Sequence, residues 1–197
     1  MNTTFKNILN HHGQAVYYGQ IFTVQENENL FNQLNATIEW KNEVGIMFGK
    51  EFITKRKVAF YADKEIEYTY SSKTKKGLPW NAELLQIKTV IESYTHAKYN
   101  ACLLNLYHDG EESMGWHSDD EKEIVSDSSI ASLSIGVARK FSFKHKVTKE
   151  KIDCLLESGS LLEMKGAIQK NWWHALPKSK KVIEPRINLT FRLMKEK

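Results

Sequence analysis

The segment Arg186-Ile187-Asn188-Leu189-Thr190-Phe191-Arg192 alternates polar and apolar residues with period two. That is the pattern of a β-strand, whose successive side chains point to opposite faces. Ile187, Leu189 and Phe191 share one face, and Arg186, Asn188, Thr190 and Arg192 share the other. The apolar face requires a core to cover it. The polar face is ordinary on a solvated edge strand. If it looks into a barrel, the two guanidinium groups need an anion, because buried charge is costly unless paired.

Residues upstream favour the second placement. His117-Ser118-Asp119 puts an imidazole and a carboxylate on one side of an extended segment, since side chains at i and i+2 point the same way. His174 follows 57 residues later, within Trp172-Trp173-His174-Ala175-Leu176-Pro177, and Arg186 lies 12 residues beyond it. Two histidines and one carboxylate with open positions form the facial triad of non-haem Fe(II) oxygenases. Taken singly, His-x-Asp is a weak signal, and His174 reads equally as a core histidine. In combination, the triad and the basic strand explain each other: an anionic organic cosubstrate chelating the metal would supply the arginines with their counter-charge.

Composition limits the setting. The chain has 197 residues, enough for one domain with an elaborated lid. A hydrophobic content of 41% supports a real core, and a mean hydropathy of −0.50 marks a soluble protein. No apolar run approaches the ~20 residues of a membrane helix, and Met1-Asn2-Thr3-Thr4-Phe5-Lys6 does not read as a secretory signal. A cytoplasmic protein is expected, or a nuclear one in a eukaryotic source. Cys102 and Cys154 sit in apolar, strand-like surroundings and read as buried thiols, not a disulfide framework. The net charge of +4 suits a polyanionic partner. Lysines and arginines cluster at Lys50, Lys55, Arg56 and Lys57, at Lys73, Lys75 and Lys76, and at Lys178, Lys180 and Lys181. Each cluster is either a solvated loop or part of a phosphate-binding rim.

Periodicity predicts an α+β fold. Residues 26–40 carry Leu30, Phe31, Leu34 and Ile38 at the spacing of a helix with one buried stripe. Asn81 is placed to cap a second helix bearing Leu84, Ile87, Val90, Ile91 and Tyr94. Beyond Thr95 the texture is β, with short strand-like runs at 101–107, 130–138, 140–146, 152–156, 160–164, 172–176 and 186–194. Short, regularly spaced strands suggest a jelly roll, with the helices covering the outside of one sheet. In the run 101–107, Asn105 and Tyr107 share a face and can join the arginine strand in the same interior.

Six stretches carry a resemblance to a known family: Asn105-Leu106-Tyr107-His108-Asp109-Gly110, His117-Ser118-Asp119-Asp120-Glu121, Ile130-Ala131-Ser132-Leu133-Ser134-Ile135-Gly136, Gly159-Ser160-Leu161-Leu162, Trp173-His174-Ala175-Leu176-Pro177 and Pro185-Arg186-Ile187-Asn188-Leu189-Thr190-Phe191-Arg192. In this order they resemble the AlkB family of Fe(II)/2-oxoglutarate-dependent nucleic-acid dealkylases, in particular the animal branch that repairs duplex DNA. The likeness runs from about Phe48 to Met194, and residues 1 to about 45 match loosely. It implies a single domain over 1–197: a double-stranded β-helix (jelly roll) core at about 98–194, supporting helices, and an N-terminal nucleotide-recognition lid at about 40–78. It implies that His117, Asp119 and His174 bind Fe(2+). Arg186, Asn105 and Tyr107 would hold the distal carboxylate of 2-oxoglutarate, with Arg192 and Asn188 nearer the metal. Six residues of strand separate two Cα atoms by ~20 Å, so long inward side chains can grip a short dicarboxylate between them.

The implied reaction consumes O2, converts 2-oxoglutarate to succinate and CO2, and removes the methyl group of 1-methyladenine or 3-methylcytosine in DNA as formaldehyde. The resemblance also points to Phe48 as a wedge in the base stack and to Tyr70, in Tyr68-Thr69-Tyr70-Ser71, as a stacking residue over the damaged base. Glu121 would accept from the exocyclic amine of the base, and Arg56 would reach the DNA. Met47 replaces the branched aliphatic usual before the wedge, and the segment between Lys146 and Ile152 is short. The implied partner is alkylated DNA, or RNA, bound by a monomer with no membrane association. The alternatives are a 2-oxoglutarate oxygenase acting on RNA or protein, and a non-catalytic nucleic-acid-binding module. Phe48, Tyr68 and Tyr70 also admit packing roles, and Glu121 a solvated one.

Overall fold

The computed structural model describes residues 5–47, 50–63, 66–70 and 73–196, giving the backbone alone at 6, 45–47, 50–52, 67–70 and 73–75. The chain opens with β1 (Lys6–Asn7), β2 (Gln14–Gln20) and α1 (Val24–Thr37), followed by β3 (Lys41–Met47), β4 (Lys50–Ala62), β5 (Glu67–Tyr70), β6 (Lys73–Lys76) and α2 (Ala82–Thr95). The second half holds β7 (Ala101–Tyr107), β8 (Met114–His117), β9 (Ile130–Gly136), β10 (Arg139–His145), β11 (Lys151–Leu156) and β12 (Ser160–Lys165). A short α3 (Ile168–Asn171), β13 (Trp172–Leu176) and β14 (Arg186–Arg192) complete it.

These strands form two facing sheets, the double-stranded β-helix expected from the sequence. The larger has the order β1-β2-β12-β9-β14-β7-β4-β3, the smaller β11-β10-β13-β8, and β5-β6 forms a separate hairpin. In the larger sheet β14 lies between β7 and β9, which pairs Arg186 with Tyr107 and Gly136, and Asn188 with Asn105 and Ser134. Side chains alternate across that sheet. Leu104, Leu106, Leu133, Ile135, Ile187, Leu189 and Phe191 pack outward against Leu34 of α1 and Leu84, Ile87 and Ile91 of α2. The polar set faces the smaller sheet. Fully burying one such aliphatic side chain is worth ~1.5–3 kcal/mol, so the helices fix which face of the sheet becomes the interior.

Both helix starts follow from capping chemistry. Thr23 and Glu26 form a reciprocal capping box, which satisfies orphan amide groups and moves the start of α1 ahead of the expected Glu26. Asn81 accepts from the Leu84 amide at 2.9 Å, as its sequence position suggested. Of the two thiols, Cys102 is buried and Cys154 half-buried. Burial pushes the Cys154 pKa up to about 12 and raises that of Cys102 as well.

Strand β2 was not apparent from periodicity, since its residues show no clean alternation of burial. It pairs with β12 across a bulge at Leu161/Leu162. The N-terminal segment is held at its other end by histidines. Val147 and Thr148 amides donate to His145 Nδ1 at 3.3 and 3.1 Å. The neutral ring therefore carries its proton on Nε2, which donates to His12 Nδ1 at 3.0 Å. Trp172 Nε1 donates to the His11 carbonyl at 3.1 Å. Burial, then the nearby His11 and His12, holds the His145 pKa below the ordinary histidine value. The unfolded chain takes up this proton near pH 6.5, before the folded protein does. The contribution to stability is thus complete above that pH and is lost as the pH falls below it. Denaturant unfolding at pH 7.5 and 5.5 is expected to show a smaller acid-induced loss in His145→Gln than in the parent protein; equal losses would refute the assignment.

Candidate active site

The pairing of β8 with β13 sets His117 directly opposite His174, with ring centroids 4.3 Å apart. Asp119 follows β8, and its amide donates to Gln169 Oε1 at 3.0 Å. Asp119 Oδ2 lies 3.8 Å from His174 Nε2, while Arg192 Nη2 donates to Asp119 Oδ1 at 2.7 Å. One donor atom from each of His117, Asp119 and His174 lies within 4.8 Å of the others. Residues 57 positions apart in the chain are therefore gathered by one strand pairing and one turn.

Electrostatics suit a cation. Burial would raise the Asp119 pKa, but Arg192, His174 and His117 together outweigh it and keep the carboxyl well below its usual range. His174, 3% exposed, is pushed down to about 3, first by burial and then by His117, so its ring is neutral. His117 Nδ1 is 2.8 Å from the Gly115 carbonyl. In the neutral ring it donates there and leaves the Nε2 lone pair free. Phe141 stacks on His174 at 5.5 Å and 27°. Asp119 Oδ2 is buried and has no hydrogen-bond partner among the described residues. Two imidazoles, one ionised carboxylate and no thiolate fit Fe(II).

The pocket beside this triad is lined by Asn105, Tyr107, Arg186, Asn188, Thr190 and Arg192 from the larger sheet and by Met114, Phe141 and Leu176 from the smaller. The two arginines are handled differently. Arg192 has Asp119, whereas Arg186, 2% exposed, donates to Ser134 Oγ at 2.8 Å and makes no ion pair with a carboxylate among the described residues. Burial lowers the Arg186 pKa to about 10, which still leaves it charged at neutral pH. Arg186 Nε and Asn105 Oδ1 have no partner among the described residues. Asn188 Nδ2 donates to Ser132 Oγ and to the Leu133 carbonyl, both at 2.9 Å. A buried, permanent cation with no carboxylate partner among the described residues is a place for an anionic ligand.

Other residues singled out in the sequence fall in several places. Arg56 turns inward, ion-paired with Glu43 and 5.9 Å from the Tyr107 ring. Glu121 lines an adjoining recess with Asp119 and Gln169, separate from the pocket of the histidines. Tyr68 and Tyr70 lie in β5, but their side chains, together with Phe48 and Ser71, fall outside the described residues. One residue was missed. Arg139, 1% exposed, donates to the carbonyls of Asp109, Glu112 and Pro177 at 3.1, 2.9 and 3.0 Å. It lies 5.9 Å from the Tyr107 ring and ties the loop after β7 to the loop after β13. Its alternation with Phe141 and Phe143 was the available signal.

Comparison with known proteins agrees with this geometry. The model of the 2OG-Fe(II) oxygenase superfamily matches residues 14–192. The chain is 36% identical over 186 residues to the DNA oxidative demethylase ALKBH2 of Homo sapiens, covering 89% of this chain and 71% of that protein. It is 38% identical over 179 residues to the alpha-ketoglutarate-dependent dioxygenase alkB homolog 3 of Bos taurus, covering 86% of this chain and 62% of that protein. The solved structure of OsALKBH1 superposes with a TM-score of 0.64 at 14% identity, covering 90% of this chain and 97% of that one, a likeness of fold. The matched span contains every strand of both sheets except β1, together with the triad and the arginine strand, and the chain belongs to the AlkB family of the 2OG-Fe(II) oxygenase superfamily, Fe(II)/2-oxoglutarate-dependent dioxygenases.

Proposed function

We propose that this enzyme demethylates N-alkylated bases in DNA, 1-methyladenine and 3-methylcytosine being the lesions. The observation that carries the chemistry is the half-partnered Asp119 carboxylate beside the imidazoles of His117 and His174, next to a buried Arg186 that requires an anion. Relatives named as DNA oxidative demethylases support the substrate class.

In this reading His117, Asp119 and His174 hold the iron. Arg186, with Asn105 and Tyr107, takes the distal carboxylate of 2-oxoglutarate, and Arg192 and Asn188 stand at the metal end. When bound, Fe(II), 2-oxoglutarate and O2 supply the oxidation that hydroxylates the N-methyl group, after which the hemiaminal loses formaldehyde. The protein provides orientation. Arg192 occupies Asp119 Oδ1 and so leaves Oδ2 to the metal, the Gly115 carbonyl fixes the tautomer of His117, and Phe141 keeps water from His174. A cationic methylated base favours an acidic neighbour, the role given to Glu121.

Residues 40–78 act as the recognition lid over the core at 98–194. Phe48 enters the base stack, Tyr70 stacks on the flipped base, and Arg56, Tyr68 and Ser71 line its approach. The enzyme works as a monomer in the compartment that holds the DNA, the cytoplasm or a eukaryotic nucleus. The test is anaerobic binding of Fe(II) and 2-oxoglutarate, followed by formaldehyde release from methylated oligonucleotides after air is admitted. Absence of release from DNA with release from RNA would overturn the DNA assignment. Flipping a base out of a duplex costs a few kcal/mol, which a wedge offsets. Phe48→Ala is therefore expected to lower kcat/KM on methylated duplex DNA by about tenfold, with little change on single strands. Equal loss on both would make Phe48 a packing residue.

A further inference from the structure

Strands β8 and β13 carry the triad histidines on their inner faces and tryptophans on their outer faces. Trp116 precedes His117 and Trp173 precedes His174, so the pleat sends them to opposite sides of the smaller sheet. On that outer surface the register sets Lys144 opposite Trp173 on one flank and opposite Lys151 on the other. Like charges directly across a sheet are destabilising. No carboxylate relieves this pair: among the described residues Lys144, Lys149 and Lys151 make no ion pair, and Asp153, which shares the surface, is taken by Lys140 at 3.3 Å.

The three ammonium groups rest over indole rings instead. Lys144 Nζ lies 4.8 Å from the Trp116 ring and 5.3 Å from the Trp173 ring. Lys149 Nζ is 4.9 Å from the Trp173 ring and Lys151 Nζ 5.9 Å from the Trp116 ring. A cation over an exposed ring is held weakly, about 0.5–1 kcal/mol, and Trp116 remains 41% exposed. We propose that this outer surface binds a single strand of nucleic acid, its phosphates taking Lys144, Lys149 and Lys151 and its bases stacking on Trp116 and Trp173. Flat aromatic platforms beside unneutralised lysines are the chemistry that tracks a single strand without reading its sequence. A duplex keeps its base faces stacked away from the indoles. The bound strand would be the flank of the substrate proposed above, yet the surface shares no residue with the inner pocket and is tested on undamaged nucleic acid.

The probe is a fluorescent oligothymidylate titrated against the full chain at several salt concentrations, with a duplex of equal length and heparin as comparisons. For a single strand the slope of log K against log salt is about 0.7 per phosphate contact, so Lys144→Gln/Lys149→Gln/Lys151→Gln is expected to reduce it by about 2. Trp116→Ala is expected to weaken the oligothymidylate about fivefold or more, leave heparin unchanged, and be rescued by Trp116→Phe. Turnover of a methylated trinucleotide, too short to span the surface, is expected to be unchanged in the triple lysine variant. That readout separates failure of this surface from failure of the demethylase reading. An unchanged salt slope overturns the proposal. So does equal weakening of duplex and single strand, or a Trp116→Ala variant that binds oligothymidylate as the parent does.

Discussion

Replacement of Asp119 by alanine is expected to abolish turnover and to destabilise the protein. The carboxylate serves on two sides: Oδ2 faces the histidines, and Oδ1 accepts from Arg192 at 2.7 Å. Removing one member of a buried ion pair costs about 3–5 kcal/mol, because the charge left behind has lost its partner. Loss of activity alone would not separate these effects. Asp119→Asn retains the shape and one carbonyl oxygen without the negative charge, and is expected to lose metal binding as fully as alanine while refolding with a smaller stability deficit. Equilibrium dialysis with Fe(II) under nitrogen and urea unfolding measure the two arms. Full metal binding by Asp119→Ala would remove the triad assignment.

Arg186→Lys is expected to weaken 2-oxoglutarate binding roughly 10- to 150-fold, corresponding to ~1.5–3 kcal/mol for a charge-assisted hydrogen bond, while metal binding is maintained. Lysine preserves the charge but not the planar fork that meets a carboxylate in two parallel hydrogen bonds. It also gives up the bond to Ser134 Oγ. Arg192→Lys is expected to behave differently, because Arg192 already holds Asp119, and metal retention should fall along with cosubstrate affinity. Calorimetry with 2-oxoglutarate in the presence of a redox-inert divalent ion reads this without turnover. Unchanged affinity in Arg186→Lys would place the cosubstrate elsewhere.

Much of the site was legible in the residues themselves, for a local reason. Strand pleat and helix stripe are consequences of backbone geometry over a few residues, so Arg186, Asn188 and Arg192 could be put on one face, and Leu84, Ile87 and Ile91 on another, without knowing what they meet. Thr23 and Asn81 were available as caps by the same logic, although only Asn81 was read as one. Local geometry names a direction, not a neighbour. That Arg192 would meet Asp119 while Arg186 met no carboxylate among the described residues depends on β14 lying between β7 and β9 and on the turn after β8. Alternation in 139–143 likewise aimed Arg139 inward, but only the packed loops show the three carbonyls that hold it. Strand β2 was hidden because a strand that pairs with its neighbour across a bulge needs no strict alternation. The family motifs and the inward face of the arginine strand were thus set by sequence alone, through short-range periodicity and residue chemistry. Which charges neutralise each other, and which one is left for a ligand, was decided by strand order and register, because those pairings join residues 52 to 73 positions apart.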